Sequence, residues 1–400
     1  MALLHIPVDR IDEAQLQRLL DARTAEARDI DYKRDTYGGS DADHAELLAD
    51  VSSFANTVGG DLIIGIGAWK GVPAAFAPLT GDADSEVLRL EQIVRSGLQP
   101  RVALQPRVVS LKQGGHVIVL RIPRSYNPPH RIIRQGKGQG RFWARSSAGK
   151  YEPNVNELRS LFTLAPQLAE RMRAFRADRV AKIAAGDTPV ALQDQRVLVL
   201  HIVPFSAFDL GSSLPLEAVA GSSHAFPPLG SRHAQHQRVN FDGVLMLSNA
   251  DEAASAQRAY AQIFRSGALE AVASVLRGGD KPRLNASEVD ATIVKYGTIY
   301  LKSLQALGIE PPYAVMASLI GVKGAPASYG LRETWHDEDA PVLLDRDQFH
   351  FKEVVLQAVP TSNQDFGALI RPMLEQVANI AGRARSPSFD PRGAYLLNPA

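Results

Sequence analysis

The sequence contains no cysteine. That absence excludes disulfide bonds, cysteine-ligated zinc and thiol nucleophiles. Because no feature of the sequence requires an oxidising compartment, we expect a cytoplasmic protein. A basic N-terminal segment followed by a long apolar run is also lacking, and apolar stretches such as 197–205 are about half as long as a membrane span. We therefore expect no signal peptide, no transmembrane helix and no membrane partner.

Two nucleotide-binding motifs and one hydrolase motif are missing as well. No Gly-x-x-x-x-Gly-Lys-Ser/Thr run occurs, and the glycines at 65, 67 and 71 have the wrong last spacing for a dinucleotide fingerprint. The sequence therefore argues against ATP binding. No motif in it requires a cofactor. Because no Gly-x-Ser-x-Gly elbow is present, a serine hydrolase has no support either.

The composition is that of a folded globular protein. Apolar residues make up 45% and charged residues 22% of the 400 positions, with 31 Gly and 25 Pro spread along the chain. At about 150 residues per domain, the length predicts two or three domains. The net charge of +1 selects no partner, so only the distribution of charge is informative.

Periodicity in the first part of the chain predicts alternating helices and strands. We expect an amphipathic helix over 11–25, a short strand near 30–32, a helix that begins at Ser40 or Asp41 and ends at Gly59 and Gly60, and a strand over 62–66. That strand is apolar on both faces, as in the centre of a covered sheet. Phe54, Ile63, Ile64 and Ile66 are therefore predicted to be core residues.

Further elements complete one α+β domain. A helix is predicted over 85–96 with Gly97 as its stop signal, a hairpin over 107–112 and 116–122, a strand over 141–145 and a helix over 154–164. Helical spacing over 167–185 predicts a connector, after which a new β segment begins near 196. The predicted organisation is an α+β domain over 1–165, a helical connector over 166–186 and a second α+β domain over 187–400.

Charge is distributed unevenly in the first domain. Residues 1–91 contain 17 acids and eight bases, whereas residues 92–151 contain no acid and 12 bases. At average composition, 60 residues would hold about seven acids. A polyanionic ligand explains this basic segment, and the alternative is a solvated positive face balanced by acidic helices of the same domain.

The glycine-rich part of the segment carries the cations best suited to phosphate contacts. Residues 131–143 combine four cations, three glycines, Phe142 and Trp143, which favours phosphate binding with optional base stacking. The residues predicted to bind nucleic acid are Arg124, Arg131, Arg134, Lys137, Arg141 and Arg145.

Several phrases carry a family resemblance. Glu26-Ala-Arg-Asp-Ile-Asp31-Tyr-Lys33 is followed by Phe54-Ala-Asn-Thr-Val-Gly-Gly60 and an apolar strand, and later by Ile122-Pro-Arg-Ser125 and Phe142-Trp-Ala-Arg145. In order and spacing these phrases resemble the Schlafen AlbA-type (AlbA_2) domain of bacterial DNA-binding proteins, over roughly residues 11–165. The C-terminal part of the chain is not covered.

The resemblance implies a mixed-sheet α+β domain that binds nucleic acid, either RNA or DNA. Some Schlafen proteins cut RNA with three carboxylates, and the family phrase places two of them at Glu26 and Asp31, with Lys33 beside them. By this resemblance Glu26, Asp31 and Lys33 are candidate catalytic residues, and Glu26 and Asp31 would hold Mg²⁺ or Mn²⁺. Ala68 occupies the place of the third carboxylate, which weakens the expectation of cleavage.

Three functions stay open from the sequence. The first is a nucleic-acid-binding protein that contacts phosphates through residues 92–151, the second a metal-dependent RNA endonuclease, and the third a non-enzymatic assembly protein. Asn56, Thr57, Gly59 and Gly60 form a candidate ligand pocket, although the end of a helix explains these glycines equally well. The sequence assigns no role to the second domain, for which two are open: it senses a signal, or it docks a protein partner or a second copy of the chain.

Overall fold

A computed structural model describes residues 3, 6–209, 213–249, 256–277, 283–330 and 341–396. The chain divides into two compact units, Met1–Gln167 and Leu168–Ala400. Each unit combines helices with strands, which confirms the α+β class.

The helices have the following bounds. They are α1 Glu13–Asp21, α2 Asp41–Ala55, α3 Ala83–Gly97, α4 Val155–Ala184, α5 Leu216–Gly221, α6 Ala286–Ala306, α7 Asn363–Leu369 and α8 Arg371–Ile380. Within the described ranges, none of them combines the length and apolar composition that crossing a bilayer requires.

The strands of the first unit are short, and those of the second include two of eight residues. The first unit has β1 Ile30–Lys33, β2 Gly60–Ile64, β3 Ile66–Trp69, β4 Val72–Phe76, β5 Leu98–Gln99, β6 Gln105–Ser110, β7 His116–Ile122, β8 Arg131–Ile132, β9 Ala144–Ser146 and β10 Gly149–Tyr151. The second has β11 Val197–Pro204, β12 His236–Val239, β13 Gly243–Leu247, β14 Ala259–Phe264, β15 Leu269–Ser274, β16 Leu276–Arg277, β17 Arg283–Asn285, β18 Tyr313–Ile320, β19 Pro326–Ser328, β20 Val342–Leu343, β21 Gln348–His350 and β22 Val354–Leu356.

The main sheet of the first unit has the order β1-β2-β7-β6. Strand β2 runs parallel to β1 and antiparallel to β7, so it is central, as its apolar sequence predicts. Its side chains alternate between two cores. Ile64 packs into the core that α2 and α3 cover, whereas Ile63 packs into the core that α1 covers. The four predicted core residues are each 0% exposed, which confirms that prediction.

Local sequence explains where α2 begins and ends. Ser40 caps its first turn through a reciprocal pair with Asp43, and Gly59 adopts a φ of +76° just after its end. Helix α3 ends at Gly97, as predicted. A Cβ at this position would lie 2.5 Å from Leu48 on α2, so the close approach of the two helices also requires a glycine here.

Replacing Ile64 with alanine should destabilise the first unit by about 2–4 kcal/mol, because it leaves a cavity between β2 and α2. Leu88→Ala on α3 is the matched control, since that side chain is 65% exposed and its loss should cost little. Denaturant unfolding measures both. An Ile64→Ala variant that keeps its stability but binds nucleic acid less well would show that this strand is misplaced.

Helix α4 is longer than the sequence pattern predicts. The helical stretches expected over 154–164 and 167–185 form one helix of 30 residues, with Pro166 inside it. The predicted strand over 141–145 is also displaced, since β9 begins at Ala144.

The second unit is built on an eight-stranded sheet. Its path is β12-β13-β14-β15-β11-β18-β21, and β22 also pairs with β18. Side chains of α6, α7 and α8 join the large core on one face, and Val180 and Ile183 of α4 pack on the opposite face. The unit therefore has a helix–sheet–helix layering.

A buried ionic cluster fixes α4 to this sheet. Both carboxylate oxygens of Glu270 on β15 lie 2.8 Å from the guanidinium of Arg179 on α4. His201 and the Tyr260 hydroxyl also contact this carboxylate, at 3.0 and 2.9 Å. Burial alone would raise the pKa of Glu270, but hydrogen bonds from Arg179 and His201 outweigh it and lower the pKa to about 2. Glu270 is therefore a carboxylate at neutral pH.

Candidate functional site

The carboxylate of Asp31 lies inside the first unit, on β1. Its Oδ2 atom is 2.9 Å from Nη1 of Arg145 and 3.5 Å from Nζ of Lys33. The Arg145 side chain is 3% exposed, and its guanidinium lies 4.4 Å from the centre of the Phe54 ring. Its Nε atom donates to the carbonyl of Ala27. Asp31 is thus neutralised by cations of its own domain, chiefly a buried one.

A carboxylate that the sequence reasoning missed, Asp50 on α2, joins Asp31. Asp50 is 1% exposed, accepts a 2.7 Å hydrogen bond from the Tyr37 hydroxyl, and lies 3.3 Å from Nζ of Lys33. Lys150 reaches Asp50 at 2.9 Å and Glu46, one helical turn earlier, at 2.5 Å. The i,i+4 spacing of these two acids, with Asp50 set among apolar residues of α2, was the signal that could have revealed them.

These groups form what we call the ion cluster. It comprises Asp31, Lys33, Glu46, Asp50, Arg145 and Lys150. Burial alone would lower the pKa of Lys33, but the carboxylates of Asp50 and Asp31 outweigh burial and raise it. Burial and Asp50 raise the pKa of the Tyr37 hydroxyl, which therefore stays protonated as a donor. The cluster therefore pairs three acidic side chains with three basic ones inside the domain.

Glu26 lies beside the ion cluster, against Gly71 at the tip of the β3–β4 hairpin. Its backbone N–H donates to the carbonyl of Gly71 at 2.6 Å, and its Oε1 accepts from the Tyr32 backbone N–H at 3.4 Å. Burial first, and then the nearby carboxylate of Asp31, raise the pKa of Glu26. The structure therefore brings the two predicted catalytic acids together, with Lys33 next to Asp31.

The described residues do not fit a divalent metal at this place. In the ranges that the structure covers, no group of three His, Cys, Asp or Glu side chains is arranged to hold an ion. Asp31 and Asp50 already contact Arg145, Lys33 and Lys150, whose positive charges would repel a metal cation. Ala68, on the exposed part of β3, supplies no ligand.

The basic loop, residues 131–141, lies on the surface near the start of α2. Buried Ile132 anchors it, with its backbone bonded to Arg141 and Gly140. Its three glycines, at 136, 138 and 140, all have positive φ. The side chains of Arg131 and Lys137 are exposed and have no acidic partner among the described residues.

The other two cations of the basic loop have surface partners. Arg134 lies 3.7 Å from Asp41 and Arg141 lies 2.6 Å from Glu152, and their side chains are 37% and 54% exposed. Exposed ion pairs of this kind contribute about 0–1 kcal/mol, so a phosphate can replace the carboxylate at little cost.

The residues of this site lie within one family match. Residues 26–154 match the family model described as "Schlafen, AlbA_2". This segment is a Schlafen AlbA_2 domain. The match confirms the resemblance deduced from the sequence phrases and does not extend into the second unit.

Two solved structures are similar to part of the chain. The crystal structure of the DIP2311 protein from Corynebacterium diphtheriae is 16% identical, covers 38% of this chain and 31% of its own, and has a TM-score of 0.26. The solution structure of the N-terminal domain of a RecG-related protein from Nitrosomonas europaea is 21% identical, covers 34% and 91%, and also has a TM-score of 0.26. The chain therefore spans about a third of the DIP2311 protein. Comparison with curated proteins gives no match.

The residues of the candidate ligand pocket have hydrogen-bond partners inside the AlbA_2 domain. The Asn56 side chain is 4% exposed, donates to the carbonyls of His130 and Trp143, and accepts from the His130 backbone N–H. Thr57 donates its hydroxyl to the Ser53 carbonyl of its own helix. These bonds engage both ends of the Asn56 amide and leave it no free group for a ligand.

The two glycines after α2 serve packing. A Cβ at Gly59 would lie 2.6 Å from the backbone nitrogen of Arg124, and one at Gly60 would lie 2.4 Å from the Phe54 ring. The end of α2 and its close approach to neighbouring backbone therefore explain both glycines.

Acids and bases that are separated along the AlbA_2 sequence form ion pairs in the folded domain. Acids from residues 1–91 contact bases from residues 92–151 in the pairs Asp31–Arg145, Asp41–Arg134, Glu46–Lys150, Asp50–Lys150 and Asp61–Arg121. The prediction that Arg145 contacts phosphate is corrected accordingly, because its guanidinium is buried and engaged inside the domain. Arg124 is half-buried, with its guanidinium 5.4 Å from the centre of the Tyr126 ring.

Proposed function

We propose that the AlbA_2 domain binds nucleic acid, with the basic loop contacting the phosphates. The observation that carries this proposal is the exposure of Arg131 and Lys137 on a loop that also presents Arg134 and Arg141. The buried cations Arg121 and Arg145 are neutralised inside the domain by Asp61 and Asp31, whereas the four cations of the basic loop lie at the surface. The AlbA_2 match supports the same role, because nucleic-acid binding is what the resemblance implies.

The loop suits a phosphate backbone for a second reason. Gly136, Gly138 and Gly140 carry no side chains, so a strand of nucleic acid can approach the loop backbone closely. Buried Ile132 anchors the start of the loop in the core. This anchor limits the conformational entropy that the loop loses when a ligand orders it. A positively charged loop that is anchored in the core is therefore suited to binding a polyanion.

We further propose that the domain binds without cutting. Cleavage at Glu26 and Asp31 would need carboxylates free to hold a metal ion and orient a water. Asp31 is instead held by Arg145 at 2.9 Å, and Ala68 adds no third ligand. Retardation and cleavage of labelled transfer RNA and duplex DNA, with and without Mg²⁺ or Mn²⁺, test this directly. Metal-dependent cleavage that requires Glu26 and Asp31 would contradict the proposal.

The double variant Arg131→Gln/Lys137→Gln should reduce the slope of log affinity against log salt concentration by about two, because each cation releases roughly one counterion from a phosphate. Fluorescence anisotropy with labelled oligonucleotides at several salt concentrations measures the slope.

Arg232→Gln/Lys323→Gln is the matched control. It removes the same charge from exposed positions of the second unit and should leave the slope unchanged. A slope that falls equally in both variants would indicate an effect of net charge. An unchanged slope in both would place the phosphates elsewhere, and no binding at low salt would favour an assembly role.

A further inference from the structure

The tip of the β3–β4 hairpin presents an exposed tryptophan. The Trp69 side chain is 74% exposed, although tryptophan usually buries most of its surface in a folded protein. Among the described residues, its indole makes no hydrogen bond and no contact with another ring or a cation. The fold therefore leaves the face of a large aromatic ring open to solvent.

The hairpin holds the backbone of Trp69 in a defined position. Lys70 and Gly71 form a two-residue tip with φ values of 52° and 75°, which suit a tight turn between paired strands. The Gly71 carbonyl accepts the backbone N–H of Glu26 at 2.6 Å, and Ile66 at the root of the hairpin is fully buried. The hairpin is therefore attached to the domain at its tip, through Gly71, and at its root, through Ile66.

We propose that Trp69 and Lys70 form a stacking site for an unpaired nucleotide, so that the AlbA_2 domain prefers single-stranded nucleic acid to a duplex. An aromatic face stacks on a base of any sequence, and the ammonium group of the adjacent Lys70 can contact the phosphate. Inside a duplex both faces of a base are covered by the neighbouring base pairs, so stacking of this kind selects unpaired strands. This inference rests on the function proposed above.

The aromatic residues beside the basic loop cannot supply the same contact as readily. Phe142 is half-buried and packs edge-on against Phe162, with ring centres 5.9 Å apart. Trp143 is half-buried against the core under α2. Trp69 is far more exposed than either of these rings, so the base-stacking role that the sequence suggested for residues 142 and 143 is reassigned to the hairpin.

The surroundings of Trp69 favour a nucleotide over a protein surface. Its exposed neighbours Ala68, Lys70 and Ala74 are small or charged, so they build no wide apolar patch of the kind that protein interfaces need. Glu26 lies against Gly71, where a Cβ would stand 3.3 Å from its Oε2 atom. A carboxyl group at the hairpin tip can accept hydrogen bonds from the amino groups of a base.

The test compares Trp69→Ala with Trp69→Phe in the full chain. The probes are a labelled 12-nucleotide single strand, as RNA and as DNA, and a blunt duplex. Trp69→Ala should weaken single-strand binding about tenfold and leave duplex binding unchanged, because the lost stacking acts only on unpaired bases. Trp69→Phe keeps a ring and should retain most of the affinity. Because Trp69 is exposed, neither variant should change the melting temperature.

Lys70→Asn provides a second measurement, since asparagine tolerates the positive φ at this position. It should lower the salt dependence of single-strand binding by about one. Equal single-strand affinity in Trp69→Ala and the parent, with the basic-loop variants still weakened, would overturn this inference and leave the proposed function standing. If the parent bound neither probe, the proposed function would fail first. A change of oligomeric state in Trp69→Ala would assign the ring to a contact between copies of the chain.

Discussion

Replacing Asp290 with asparagine should stabilise the second unit above pH 7 and remove most of its loss of stability between about pH 4 and pH 7. Asp290, on α6, is 0% exposed. Its Oδ2 atom accepts a hydrogen bond from the Tyr329 hydroxyl and lies 3.3 Å from the hydroxyls of Ser386 and Ser388. Its Oδ1 atom has no partner among the described residues.

Burial raises the pKa of Asp290 to about 7, although the hydrogen bonds from Tyr329 and the two serines act in the opposite direction. A carboxyl whose pKa is higher in the folded state binds its proton more tightly there than in the unfolded chain. Its contribution to stability is therefore largest below the unfolded value of 3.8 and is lost as the pH rises through 7. About three pKa units correspond to a loss on the order of 4 kcal/mol.

Denaturant unfolding of the full chain between pH 4 and pH 8 measures this effect. Hydrogen exchange of α6 and residues 385–396, read by mass spectrometry, assigns it to the second unit. Asp347→Asn is the control, because that side chain is exposed and its replacement should leave the pH dependence unchanged. A loss of stability in Asp290→Asn at pH 8 would contradict this prediction. It would mean that hydrogen bonds from the three hydroxyls stabilise the ionised carboxylate in the folded state.

Elements with a strong local pattern could be predicted from the sequence. The predicted helix that begins near Ser40, the central strand over 62–66 and the hairpin across Gly114 and Gly115 all occur within a few residues of their expected bounds. Each carries its own signals, namely a cap, an apolar run or a pair of turn glycines. The long helix over 286–306 carries a signal of the same kind, because its apolar residues recur at helical spacing.

The candidate site could be predicted only in part. The sequence phrase around Glu26 and Asp31 names two acids that lie close together in the structure, but the partners of Asp31 come from distant positions. Arg145 lies 114 positions after Asp31, and Lys150 lies 100 after Asp50. No local pattern encodes such pairings, which arise only when β9 and β10 pack against β1 and α2. For this reason a run of bases that resembled an open ligand surface includes buried internal cations.

Replacing Arg145 with methionine should destabilise the first unit by about 3–5 kcal/mol, because it leaves the carboxylate of Asp31 buried without its closest cation. Lys33, at 3.5 Å, compensates only in part. The guanidinium also donates to the Ala27 carbonyl and covers the Phe54 ring, so its packing is lost together with its charge. Arg101→Met, at an exposed position of the same unit, should change stability by less than about 0.5 kcal/mol.

A double-mutant cycle with Asp31→Asn separates an internal ion pair from a ligand contact. If Arg145 serves Asp31, the double variant should lose less stability than the sum of the single variants, by about 1–3 kcal/mol. Nucleic-acid affinity should then follow the folded fraction in all variants, because a guanidinium that is 3% exposed contacts no phosphate. The opposite result, a stable Arg145→Met variant with weakened binding, would restore the sequence-based assignment. Arg145 would then belong with the exposed cations of the basic loop, and Asp31 would be free for a metal.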